Sequence, residues 1–221
     1  MRLRSRVFGS LGALLAVIAV VALAGCGTSR SARSTAAKTS APTAAELLRE
    51  PSRFVLDAGT SLPGYTLNKD ASGVFTNAMA AKSADLVTRK LIVGTGRITG
   101  YTRNWLPAGG GSGSAALASS ASTFATEAGA RRGFELGVKA IGASYGTIEV
   151  TPAIGARSRV FTVQMDGPVN ALTLLLIAWQ YDRVLATVVA TGDSDVFNAS
   201  WPIGLARQQQ QRIAAAIAAA R

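Results

Sequence analysis

An α+β domain is the fold class that the sequence predicts, an antiparallel sheet packed with helices. Three patterns carry this expectation. Strand-like segments at 146–150, 159–165, 171–180 and 183–191 are separated by turn residues, notably Asp166-Gly167 and Tyr181-Asp182. Links so short join antiparallel neighbours, because a parallel return needs a crossover of a dozen or more residues. Apolar residues at helical spacing, Phe134, Leu136, Val138 and Ile141, precede that run, and an alanine-rich helical segment at 202–220 follows it. Residues 172–179 and 184–190 are apolar at nearly every position, so both faces of those strands should be covered, since a half-exposed strand would alternate. Helices can cover one face; the other calls for a second layer or a partner.

From the N-terminus, Arg2, Arg4 and Arg6 precede an uncharged stretch that is strongly apolar from Leu11 to Ala24. A basic segment ahead of an apolar one is the order of a secretory signal. The run of roughly 14 residues covers about 21 Å as helix, short of the roughly 30 Å of bilayer hydrocarbon. Leu23-Ala24-Gly25-Cys26 closes it, and this stretch resembles the lipobox of bacterial lipoproteins. The resemblance implies cleavage before Cys26, lipid attachment with acyl chains such as palmitate on that residue, and a domain anchored to the extracytoplasmic face of the cell membrane. Cys26 is the sole cysteine, which excludes an intrachain disulfide; a thioether to lipid also accounts for its solitude. Residues 27–42 hold Gly, Thr, Ser, Ala and Arg without a large apolar side chain and cannot bury enough surface to fold. The organisation read from these segments is a signal peptide at 1–25, a flexible lipidated tether at 26–42 and one globular domain at 43–221.

Within the domain, Thr43-Ala44-Ala45-Glu46 has capping-box spacing ahead of Leu47-Leu48 and predicts a short helix that stops at Pro51. Residues 54–56 and 65–67 read as short strands, the second introduced by Pro63-Gly64. Residues 77–92 carry helical spacing, and Gly94-Thr95-Gly96 breaks it. A strand is expected at 97–105, through Ile98, Tyr101 and Trp105, then an exposed Gly/Ser loop at 108–115 and a strand at 118–124. Thr126-Glu127 opens the next helix. Trp201-Pro202 leads into the closing one, where Pro202 suits a first turn and Ile213 and Ile217 share a face. The weak apolar face of that helix implies close packing by small side chains.

The chemistry is narrow. Histidine is absent, which removes the commonest general base, metal ligand and proton shuttle. Asp193 with Asp195 and Glu46 with Glu50 are the closest carboxylate pairs, and the later ligands of a calcium loop are missing. Gly94-Thr95-Gly96-Arg97-Ile98-Thr99-Gly100 has three residues, not two, before its last glycine and enters a strand, so it does not build the anion site of a nucleotide fold. The run at 109–113 lacks the Lys-Ser or Lys-Thr of a phosphate loop. No catalytic residue, metal ligand or cofactor follows from these patterns, and the expectation is a protein that is not an enzyme. Net charge is +11; without the three signal arginines, 20 basic side chains face 12 acidic ones. The excess lies towards the membrane end, where anionic headgroups would meet it. Scattered basic residues give no footprint for nucleic acid. Tyr101, Trp105, Trp179, Tyr181 and Trp201 sit at strand ends or at the helix entrance, where they could line a mouth for an apolar ligand or fill the core and its rim.

The order of helix, strand, helix, antiparallel strands and closing helix over residues 54–220 resembles in outline the small Mog1/PsbP-type domains of actinobacterial lipoproteins. No functional residue carries over from that resemblance, and a shared fold leaves function open. The reading that results is a lipid-anchored, non-enzymatic binding module for an apolar ligand or a cell-envelope component. The alternative is an accessory subunit of an envelope complex, or a homodimer whose partner copy covers the second sheet face.

Overall fold

The computed structural model describes residues 42–57, 62–83, 89, 92, 94–108, 116–142, 146–147, 152–165 and 171–221. The signal segment, Cys26 and the tether lie outside these residues, as do 109–115, the Asp166-Gly167 turn and 148–150.

Seven strands form one antiparallel sheet: β1 (Tyr65–Val74), β2 (Arg97–Pro107), β3 (Ala116–Phe124), β4 (Gly146–Thr147), β5 (Arg157–Met165), β6 (Leu172–Tyr181) and β7 (Val184–Asp193). Their spatial order is β1-β2-β3-β7-β6-β5-β4. Two meanders therefore meet along β3 and β7, where Ala116 pairs with Thr191 and Thr123 with Val184. Tyr181-Asp182-Arg183-Val184 makes the tight turn between β6 and β7, with Asp182 at φ 50°. This is a left-handed position that aspartate tolerates better than most side chains.

The helices are α1 (Ala44–Leu47), α2 (Asn77–Ser83), α3 (Glu127–Gly142) and α4 (Ser200–Ala219). Thr43 caps α1 as its spacing predicts: its hydroxyl accepts from the Glu46 amide, and the Glu46 carboxylate accepts from the Thr43 amide at 2.8 Å. Those hydrogen bonds from Thr43 hold the Glu46 carboxyl below its usual range. Arg89, Ile92, Gly94 and Thr95 are also helical, and the glycine at 96 turns at φ 68° into β2; the rest of the 84–93 stretch of the helix expected at 77–92 lies outside the described residues.

Each face of the central strands has its own helix. On one, α4 and the 43–56 segment cover Trp105, Leu117, Leu175, Ile177, Trp179 and Val188. On the other, Phe134 and Ile141 of α3 cover Ala118, Phe161, Leu174, Leu176 and Val189. The doubly buried pair β6 and β7 is thus enclosed by this chain alone, and no further layer or partner is needed over it. Three layers suffice because α3 and α4 lie on opposite sides of the sheet, not together on one.

Two strand readings change. Residues 54–56 are no strand: Pro51–Phe54 is a 3-10 turn, and Val55 and Leu56 pass beneath α4 without joining the sheet. Strand β1 extends beyond 67 to Val74 through a bulge, since Asn68 pairs with Asn104 but Gly73 with Thr102. The Ser72 hydroxyl donates to the Asn68 carbonyl at 2.6 Å and accepts from the Asn104 amide at 3.0 Å, stitching the extra residues in place. A bulged outer strand is also a poor template for edge-to-edge pairing.

Helix α4 is fastened by a polar residue. Gln209 is fully buried; its amide nitrogen donates to the carbonyls of Phe54 and Ser120, each at 3.0 Å, and its carbonyl accepts from the Ser119 hydroxyl at 2.8 Å. The amide is saturated, so it tolerates burial.

Candidate functional site

The five aromatic residues gather on the α4 side of the sheet. Trp105 and Trp179 are interior, at 2% and 0% exposure, while Tyr101, Tyr181 and Trp201 are half-buried against the same cluster. Each has a packing role. The Trp179 indole N–H donates to Gln210 Oε1 at 2.8 Å. Trp201 stacks on Tyr65 with ring centroids 5.3 Å apart, and the Arg103 guanidinium lies over the Tyr101 ring at 5.5 Å. Tyr101 and Trp105 belong to β2 and Trp179 and Tyr181 to β6, with β3 and β7 between them. Three strand spacings are roughly 14 Å, so the β2 and β6 aromatics stand apart along the same face. None of the five lines either cavity described below.

The cavity that does carry chemistry lies on the opposite face, between α3, α2 and the sheet. It encloses about 100 Å³ and is partly open to solvent. Phe75, Ala80, Phe134, Val138 and Ile141 make its apolar wall. It exists because small side chains meet there: Ser120 and Ser122 from β3, Ala178 from β6 and Gly137 from α3. Glycines 129, 133 and 137 recur every four residues along α3 and bring it close to its neighbours. A Cβ at Gly129 would fall 2.1 Å from the Thr95 carbonyl oxygen, and one at Gly133 3.0 Å from the Phe124 ring. At Gly137 nothing lies within 4 Å, and that emptiness belongs to the cavity.

Arg97 enters this cavity from the start of β2. It is 7% exposed, and burial lowers its pKa from the ordinary arginine value to about 10. Its Nε–H donates to Ser122 Oγ at 3.1 Å, Nη1 to Asn77 Oδ1 at 2.5 Å and Nη2 to the Phe75 carbonyl at 3.0 Å. The guanidinium also sits 5.6 Å from the Phe75 ring centroid. Asn77 in turn donates from Nδ2 to the Arg97 carbonyl at 2.8 Å, which locks the first turn of α2 to the strand. A Cβ at Gly100 would meet Arg97 Nη2 at 2.4 Å, so the last glycine of the 94–100 segment makes room for the guanidinium. That segment, which is no phosphate loop, is thus built around its arginine.

Arg97 was not legible as a site residue. A lone arginine in an alternating strand reads as a solvated side chain, and the register shift between Arg97 and Thr99 turns it inward. The only hint is its flanking by Gly96 and Gly100. A second, open groove beside Glu135, Lys139, Arg157 and Arg159 has exposed charges, with Arg157 paired to Glu135 at 3.4 Å, and the hydroxyl of its buried Ser158 donates to the Pro152 carbonyl at 2.6 Å. Among the described residues, no group of His, Cys, Asp and Glu side chains could hold a metal, and no helix is long and apolar enough to cross a membrane.

Among solved structures, the chain is similar to the extracellular domain of PknH from Mycobacterium tuberculosis. The two share 13% identity over 77% of this chain and 95% of that one, with a TM-score of 0.53. The likeness is one of fold. No protein-family model matches the chain, and no curated protein matches it.

Proposed function

We propose that this protein is a lipid-anchored, extracytoplasmic binding module, not an enzyme, and that it takes an apolar ligand or the apolar part of an envelope component into the cavity beneath α3. The carrying observation is the cavity itself, an apolar chamber with polar groups on one wall, set in a sheet whose other face is closed by α4. Such a combination is the usual anatomy of a small-molecule site. Three further features support the reading. The Leu23-Ala24-Gly25-Cys26 stretch resembles a lipobox, the fold is similar to that of an extracellular domain, and the whole sequence lacks histidine.

Two measurements test the proposal. In a bacterial host fed radiolabelled palmitate, the full chain should label and fractionate with membranes, and Cys26→Ser should do neither; an unlabelled wild type would refute the anchor. Native mass spectrometry of the purified chain should release a small mass on denaturation. An empty protein that also fails to bind small apolar probes would refute the module.

A further inference from the structure

We infer that the ligand of this cavity carries an oxyanion, a carboxylate or a phosphate monoester, at one end of a small apolar body, and that the guanidinium of Arg97 receives it. The inference rests on the binding-module reading and names the chemistry of the same site.

A guanidinium has five N–H groups, and Arg97 uses three, one on each nitrogen. One N–H on Nη1 and one on Nη2 remain, the two nitrogens with which arginine grips a pair of oxygens in a fork. All three acceptors are neutral, and no described carboxylate pairs with Arg97. A buried cation without a counter-charge is costly, and here it stands at the edge of an apolar chamber with partial access to solvent. Its protonated form persists across the physiological range, since burial brings its pKa down only to about 10. A ligand anion would satisfy both the charge and the two free donors.

Size limits the rest of the molecule. An apolar cavity of about 150 Å³ accommodates benzene, and this one encloses about 100 Å³. A short acyl or alkyl segment fits inside, and any longer chain leaves through the opening. Ser120 and Ser122 add hydroxyls on the wall that holds the guanidinium, so anion and apolar body have separate ends of the chamber.

The test is isothermal titration of the full chain in lipid nanodiscs, with protein-free discs subtracted, against hexanoate, hexyl phosphate and hexanol. At least one anion should bind about tenfold or more tightly than hexanol, the scale of a charge-assisted hydrogen-bond pair; which anion does so separates the carboxylate from the phosphate source. Arg97→Gln should erase that preference, bringing the anion down to the affinity of hexanol. Gly137→Leu, which fills the chamber where nothing lies within 4 Å of a Cβ, should abolish all three. Equal affinities for anion and hexanol would overturn the inference and leave the binding module standing. A preference that survives Arg97→Gln would overturn it as well. Failure of all three probes would overturn both readings.

Discussion

Arg97 and Gln209 are both polar, both inside and opposite in kind. Gln209 has its amide fully satisfied, and truncating it strands the Phe54 and Ser120 carbonyls and the Ser119 hydroxyl. Gln209→Ala should therefore cost about 2–4 kcal/mol in urea unfolding, with Ser119→Ala costing less. Arg97 carries a charge that its surroundings disfavour. Its pKa falls on folding to about 10, so the unfolded chain holds the proton more tightly. Ionised Arg97 thus opposes folding below about pH 10, and the penalty fades as pH rises from there towards the ordinary arginine range. The shift corresponds to a penalty on the order of 3 kcal/mol, which three charge-assisted hydrogen bonds at about 1.5–3 kcal/mol each outweigh. Arg97→Met also strands Asn77 Oδ1 and the Phe75 carbonyl, and should cost about 1–3 kcal/mol in urea unfolding at pH 7. Neither residue was legible in the sequence, for one reason: glutamine in a helix and arginine in a strand are most often solvated, and only the geometry shows which are enclosed.

At the level of elements, α3 offers a test with one substitution and two signs. Gly129→Ala drives a Cβ into the Thr95 backbone and should destabilise by about 1–3 kcal/mol. Gly137→Ala meets nothing, and should stabilise by close to 1 kcal/mol through helix propensity alone. Thermal unfolding of the two variants checks both. The later strands were legible because long apolar runs between turn residues leave few alternatives, and the Thr43 cap because its spacing has a mechanism. Residues 54–56 misled because three consecutive buried side chains after a proline look the same in a strand and in a 3-10 turn that passes under a helix. The second half of β1 was hidden for the converse reason: Lys69-Asp70-Ala71-Ser72 has loop composition, and the bonds that hold it as a bulge come from Asn104, distant in sequence. The aromatic residues were legible as large buried groups, yet their separation across four strands depends on β7 lying beside β3, which no local pattern encodes.

The whole molecule is two meanders joined along one strand pair and then clamped from the far end of the chain. Residues 200–219 lie across the turn at 51–54: Arg212 donates from Nε to the Arg53 carbonyl at 3.0 Å and pairs from Nη1 with Asp57 at 3.0 Å, beside the Gln209 bonds. Deleting α4 would uncover Leu175, Ile177 and Trp179 together, and a chain ending at residue 199 should be insoluble or unfolded by circular dichroism. Such a clamp also ties loss of one part to loss of the rest. Gln209 and Phe54 stand 155 positions apart, so freeing either partner opens the same apolar layer. Urea unfolding followed by circular dichroism and by tryptophan fluorescence should therefore trace one shared transition.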